Sequence, residues 1–181
     1  MNAQEDPIVR LQIGDLMPPL QGEYLTGEDA RLPDAADGKV AFILLGFTYD
    51  SRYAVEPWAA WFRDEFGSDS AATFFEVPMI GGLARLGKWF IDSGMRRGTP
   101  DQFHENVITA YGGTGVWKDR VGFDEEDWAY LLILDRDGAI RHMHAGNFEE
   151  RAIPAVREAL RSALASESPS RPDGDQASTG H

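Results

Sequence analysis

The chain has 181 residues, 43% hydrophobic and 26% charged, which is the size and composition of one globular domain with a real core. Its 30 acids against 17 bases leave a net charge of −13, and such a surface repels phosphate backbones and anionic lipid headgroups, so neither nucleic acid nor a membrane surface is an expected partner. It contains no cysteine, which excludes disulfides, cysteine-ligated zinc, iron–sulfur clusters and cysteine nucleophiles.

The opening MNAQEDPIVRL carries acids and no long apolar stretch, so it does not resemble a signal peptide, and a cytoplasmic protein is the default expectation. Residues Val9 to Ile13 form a short apolar segment that Pro18 and Pro19 bring to an end. Tyr24 to Leu32 reads as a hairpin turning at Thr26-Gly27. Lys39 to Phe47, KVAFILLGF, is apolar on both alternating faces, which places a strand in the middle of a covered sheet. It is also the longest apolar run and falls far short of the ~20 residues a membrane-spanning helix needs, so no integral membrane segment is expected.

Val55, Trp58, Phe62 and Phe66 recur at spacings of three and four, predicting a helix over 54–66 with Asp50 or Ser51 capping its start. Ala72 to Pro78 reads as a second strand, and Leu83, Leu86 and Phe90 mark a second helix ending near Gly94. A helical piece is expected around Gln102 to Ala110, followed by a flexible loop at Tyr111-Gly-Gly-Thr-Gly115, which lacks the pattern of any phosphate-binding motif. Tyr130 to Leu134 is a further strand, Asp135 to Gly138 a turn, and Ala139 to Ala145 the antiparallel return. Ile153, Val156, Leu160 and Leu164 define a C-terminal amphipathic helix. The stretch after Ala165, SESPSRPDGDQASTGH, has no apolar periodicity, so the domain is drawn over 1–164 and a disordered tail over 165–181.

This order, βαβα…ββα, is an α/β pattern with a parallel crossover first and a hairpin last. Three blocks make it resemble the thioredoxin superfamily, in the branch of peroxiredoxins and TlpA- or Sco-like proteins: IGDLMPPLQGEYLTGEDARLPDAADGKVAFILLGF, FTYDSRYAVEPW and LLILDRDGAIRHMHAG. The resemblance implies a three-layer α/β/α sandwich with a mixed central sheet and an N-terminal β extension, its reactive site at the loop Thr48, Tyr49, Asp50, Ser51 and Arg52. A Sco-like pattern would put its cysteines at Asp50 and Ala54. A peroxiredoxin pattern keeps Thr48 and would put the peroxidatic cysteine at Ser51. Ala129, before Tyr130, stands where the family has a cis-proline. A second resemblance, to the mitochondrial F-type ATPase assembly factor family Atp-ten, rests on Trp58, Phe62, Tyr130, Asp135, Gly138, Ile140 and Arg141 and implies an assembly chaperone.

The family chemistry needs a thiolate whose pKa is lowered by the helix N-terminus. A serine hydroxyl stays protonated without a base against it, and a carboxylate does not exchange disulfides. A thiol oxidoreductase or cysteine peroxidase is thus excluded, no cofactor is expected, and two main readings remain: a binding or assembly module with a protein partner, or a non-thiol enzyme using Tyr49, Asp50 and Arg52 on a small anionic substrate. Arg52 and the helix dipole would favour an anionic group at this loop. Trp61 lies off the Val55–Trp58–Phe62 face and is the candidate exposed aromatic for a partner. His142 and His144 share one face of a strand and could supply two metal ligands, though two surface histidines account for them more simply. Asp135, Asp137 and Gly138 resemble part of a calcium loop but lack its later ligands and read as a plain turn.

Overall fold

A computed structural model describes residues 9–81 and 97–166. The expected second helix at Leu83 to Gly94, and the tail beyond Ser166, lie outside the described residues. Seven strands form one mixed sheet: β1 (Leu20–Tyr24), β2 (Asp29–Leu32), β3 (Val40–Gly46), β4 (Ala72–Ile80), β5 (Ile108–Tyr111), β6 (Ala129–Leu134) and β7 (Ile140–Gly146), in the order β2-β1-β5-β4-β3-β6-β7. β3, β4 and β5 run parallel to their neighbours among themselves, and β6, β7 and the β1–β2 hairpin are antiparallel additions on either side.

β3 shows why an unbroken apolar run sits in the middle. All seven of its residues are buried, and the strand's two-residue period sends them alternately to two cores. Val40, Phe42 and Leu44 meet α1 (Arg52–Phe66) and α3 (Ile153–Ala165) on one face. Ala41, Ile43 and Leu45 meet α2 (Thr114–Val121), through Trp117 and Val121, on the other. The result is the expected helix–sheet–helix sandwich. On the α1 side, Phe42 stacks on Phe62 at 5.2 Å between ring centroids, and Phe62 continues to Phe66 at 5.6 Å. Burying each such ring contributes about 2–3 kcal/mol, so this stack is a main anchor of α1 on the sheet.

Several expectations change in the folded chain. The segment 102–110 is not one helical piece: a 3-10 turn covers Asp101–Asn106, and Ile108–Tyr111 becomes β5 between β1 and β4. A four-residue strand carries too little periodicity to announce itself, and pairing on both sides decides it. The glycine-rich stretch is not a free loop, because Thr114 already opens α2, with Trp117 and Val121 four apart and buried. The hairpin strand begins at Leu20 rather than Tyr24. Ala165, assigned to the tail, is the last residue of α3.

The Asp135–Gly138 turn is as expected. Asp135 Oδ1 accepts the N–H of Asp137 at 3.0 Å and of Ala139 at 2.9 Å, while Oδ2 takes the Arg141 guanidinium at 2.6 Å. Gly138 sits at φ +83°, which a side chain would strain. A carboxylate so engaged fastens the turn.

Candidate functional site

The loop between β3 and α1 opens at the carboxyl end of the central strand, the edge where α/β sheets place their ligands. Ser51 stands at the start of α1, yet its hydroxyl caps nothing and neither does Asp50. Thr48 holds the turn instead. Its Oγ1 accepts the Ser51 N–H at 3.0 Å, and Ser51 Oγ donates back to the Thr48 carbonyl at 2.7 Å. This reciprocal pair closes a turn ahead of the helix, so neither Asp50 nor Ser51 supplies the expected side-chain cap.

The Ser51 side chain is thereby turned inward and is 2% exposed. Beneath it lies Gly46, where a Cβ would come within 2.5 Å of Ser51 Oγ. Ala129, paired with Gly46 across the β3–β6 ladder, is fully buried and forms floor rather than surface. The peptide bond before it is trans; the cis peptide among the described residues is Leu32–Pro33. Tyr130 is also buried, its ring against Phe47 and Phe123 at 5.5 and 5.6 Å. Its hydroxyl accepts the N–H of Asp124 and Glu125 and donates to the Glu125 carbonyl at 2.8 Å. Tyr130→Phe is expected to cost about 1–2 kcal/mol and to raise amide exchange at Asp124 and Glu125, read by hydrogen-exchange NMR.

What faces solvent is aromatic and charged. Tyr49 is 75% exposed and Tyr53 65%. The Arg52 guanidinium lies between their rings, 4.1 Å from one centroid and 4.6 Å from the other, and donates to both phenol oxygens. The hydrogen bond to Tyr53 holds the Arg52 pKa above its ordinary value. Pro57, one turn into α1, has no N–H to offer the Tyr53 carbonyl. Asp50 is exposed beside this array.

Thr48 joins the loop to the segment before β6: its Oγ1 donates to Asp127 Oδ1 at 2.7 Å and lies 3.3 Å from the Glu126 carbonyl. Thr48, Tyr49, Asp50 and Arg52 therefore share one surface, Ser51, Ala129 and Tyr130 support it from below, and Trp61 is elsewhere. About two and a half turns beyond Arg52 along α1, Trp61 is half-buried against Phe42, Trp58 and Phe66, with the Arg157 guanidinium 6.0 Å from its ring. The expected exposed Trp61 is thus corrected: α3 reaches it, through Arg157 and its ion pair with Glu65. Tyr53 was missed by sequence reasoning, although its four-residue spacing from Tyr49 around Arg52 was a usable signal. Asp127, 79 residues from Thr48, offered none.

His142 and His144 share one face of β7, but they are half-buried under the α1 side, and His144 meets Trp58 edge-on at 5.6 Å. Burial pulls both rings below the usual histidine range, and the charge of His144 adds to this at His142. Among the described residues no three His, Asp or Glu side chains gather as a metal site. A cavity of about 190 Å³ lies at the opposite end of the sheet, between Pro33, Asp34, Lys39 and the 135–138 turn, away from this loop.

No family model matches the chain, and no curated protein matches it. Solved structures do. A putative thiol:disulfide interchange protein DsbE from Chlorobium tepidum superposes with TM-score 0.59 at 18% identity, covering 85% of this chain and 99% of its own. The thioredoxin domain of a thiol-disulfide oxidoreductase from Bacteroides vulgatus gives 0.56 at 16%, covering 83% and 99%. A thiol peroxidase from Chromobacterium violaceum gives 0.55 at 11%, covering 85% and 88%. At these identities the likeness is one of fold: the chain has the thioredoxin-like architecture and lacks the cysteine its neighbours' names call for. None of these matches shows the expected likeness to the assembly-factor family. No helix among the described residues is long and apolar enough to cross a membrane.

Proposed function

We propose that this chain is a redox-inactive, thioredoxin-like binding module that uses the Thr48–Tyr53 loop to hold a protein partner, in the manner of an assembly or chaperone-type factor. One observation carries the reading: at the helix start, the Ser51 hydroxyl, where a peroxiredoxin pattern would put its cysteine, is sealed inward while an ordered Tyr–Arg–Tyr array faces out. The buried Ser51 Oγ donates to a backbone carbonyl, and no histidine or carboxylate among the described residues is bonded to it as a base. An enzyme reading would ask for polar groups converging on a substrate, whereas the Thr48 hydroxyl is spent on Ser51 and Asp127. Arg52, the group meant to hold an anionic substrate, is already engaged by two phenols.

The purified protein is expected to show no turnover in insulin reduction or peroxide consumption. Captured from lysate of the cells that make it, a stoichiometric partner should be retained by the wild type and lost with Tyr49→Ser/Tyr53→Ser, a change that leaves the melting temperature within about 2 °C, since both rings are exposed. Retention of that partner by the double variant, or sustained turnover, overturns the proposal.

A further inference from the structure

The charges around the loop reverse the expectation of an anionic ligand. The Thr48–Asp127 hydrogen bond brings the 124–127 segment alongside the Tyr49–Tyr53 turn, and the Tyr130 hydroxyl pins the backbone of Asp124 and Glu125. Asp50, Glu56, Asp124, Glu125, Glu126 and Asp127 are all exposed on this rim. Arg52 and Lys118 lie among them, both committed to aromatic rings: Arg52 between the tyrosines, and Lys118 at 4.1 Å from the Phe123 centroid. Neither forms an ion pair among the described residues. A third cation, Arg10, packs its guanidinium on Gly122, two residues before Asp124. Two largely exposed tyrosine rings thus sit inside a margin that is net negative, six carboxylates against three cations.

An anionic partner would meet net repulsion here. A second copy of the chain is disfavoured too, because a two-fold contact across this face sets the same acidic margin against itself. Exposed tyrosine is among the side chains enriched as rigid interfacial anchors, amphipathic and cheap to immobilise. Its faces accept the alkyl stems of lysine and arginine and attract their charged ends.

We infer that the occupant of this surface is a basic segment of another protein, a lysine- or arginine-rich stretch whose stems lie on Tyr49 and Tyr53 and whose charged ends reach Asp50, Glu125 and Glu126. This rests on the reading of the loop as a binding surface and names the chemistry of its partner. The rim carboxylates steer the encounter and select against acidic competitors, while the tyrosines supply the contact area.

The test uses a labelled 12-residue lysine–alanine peptide and its glutamate–alanine counterpart, titrated into the full chain and followed by anisotropy and amide NMR. The lysine peptide is expected to bind at low salt, with shifts confined to residues 48–56 and 124–127, and the glutamate peptide not to bind. Asp50→Asn/Glu125→Gln/Glu126→Gln and, separately, Tyr49→Ser/Tyr53→Ser should each weaken binding at least tenfold. Glu28→Gln/Asp29→Asn/Asp64→Asn removes the same number of exposed charges elsewhere and should change it less than twofold. Equal loss in that control, shifts spread over the whole acidic surface, or no binding of the lysine peptide overturns the inference. If the peptide fails while a tyrosine-dependent partner is still captured from lysate, the basic segment is wrong and the binding loop stands; if both fail, both fall.

Discussion

Glu76→Gln is expected to stabilise the protein by about 3 kcal/mol at pH 8 and to leave it almost unchanged at pH 4. Glu76 lies on β4 beneath α1, its side chain 22% exposed, with Arg63 Nη1 at 3.7 Å. Burial is the first cause that pushes its carboxyl up to about 7. Glu56 adds to the rise and Arg63 opposes it. Both of these charges come from α1; the strand neighbour of Glu76 on β3 is the apolar Leu44. A carboxyl whose folded pKa exceeds its unfolded value of 4.5 binds its proton more tightly in the native state. The native state therefore carries no penalty below pH 4.5, loses stability progressively as pH rises towards 7, and pays the full difference above it. Gln keeps the shape and removes the ionisation. Urea denaturation of wild type and variant at pH 4, 6 and 8 reads the difference directly. A gap that does not widen across that window would show that Glu76 is already well solvated.

The second large effect is steric. Gly46→Ala is expected to cost about 2–3 kcal/mol, because its Cβ would come within 2.5 Å of Ser51 Oγ in a turn with no slack. Ser51→Ala alone removes the hydrogen bond to the Thr48 carbonyl and should cost about 1 kcal/mol. Combined, the two substitutions should cost less than the glycine change by itself, since Ser51 Cβ lies at an ordinary 3.5 Å from the new methyl. Thermal melts of the three variants close this double-mutant cycle. Simple additivity would mean that the two groups do not touch. The same contact explains the inward hydroxyl: a side chain at position 46 would drive Ser51 away and open the loop.

Much of the architecture was legible because burial leaves a period in the sequence. The unbroken apolar β3, the three-and-four spacing of Val55, Trp58, Phe62 and Phe66, and the Asp135–Gly138 turn each announce themselves locally. β5 did not, since its four residues are a strand only by virtue of β1 and β4 on either side. At the site, residue types were legible and their use was not. Arg52 looks like an anion hook until Tyr49 and Tyr53 are seen on either side of it. Trp61 looks like an exposed anchor until α3 is brought against α1, where Glu65 meets Arg157, 92 residues away.

The sequence by itself therefore determined the central strand, the helix after it, the closing hairpin and the last helix and, by holding no cysteine, the absence of thiol chemistry. Only the tertiary structure decided which way Ser51 points, which cations remain free to act, and that Thr48 meets Asp127. Periodicity records whether a residue faces the core or the solvent. It does not record which distant residue shares that surface, because such neighbours are chosen by strand order and helix packing rather than by local pattern.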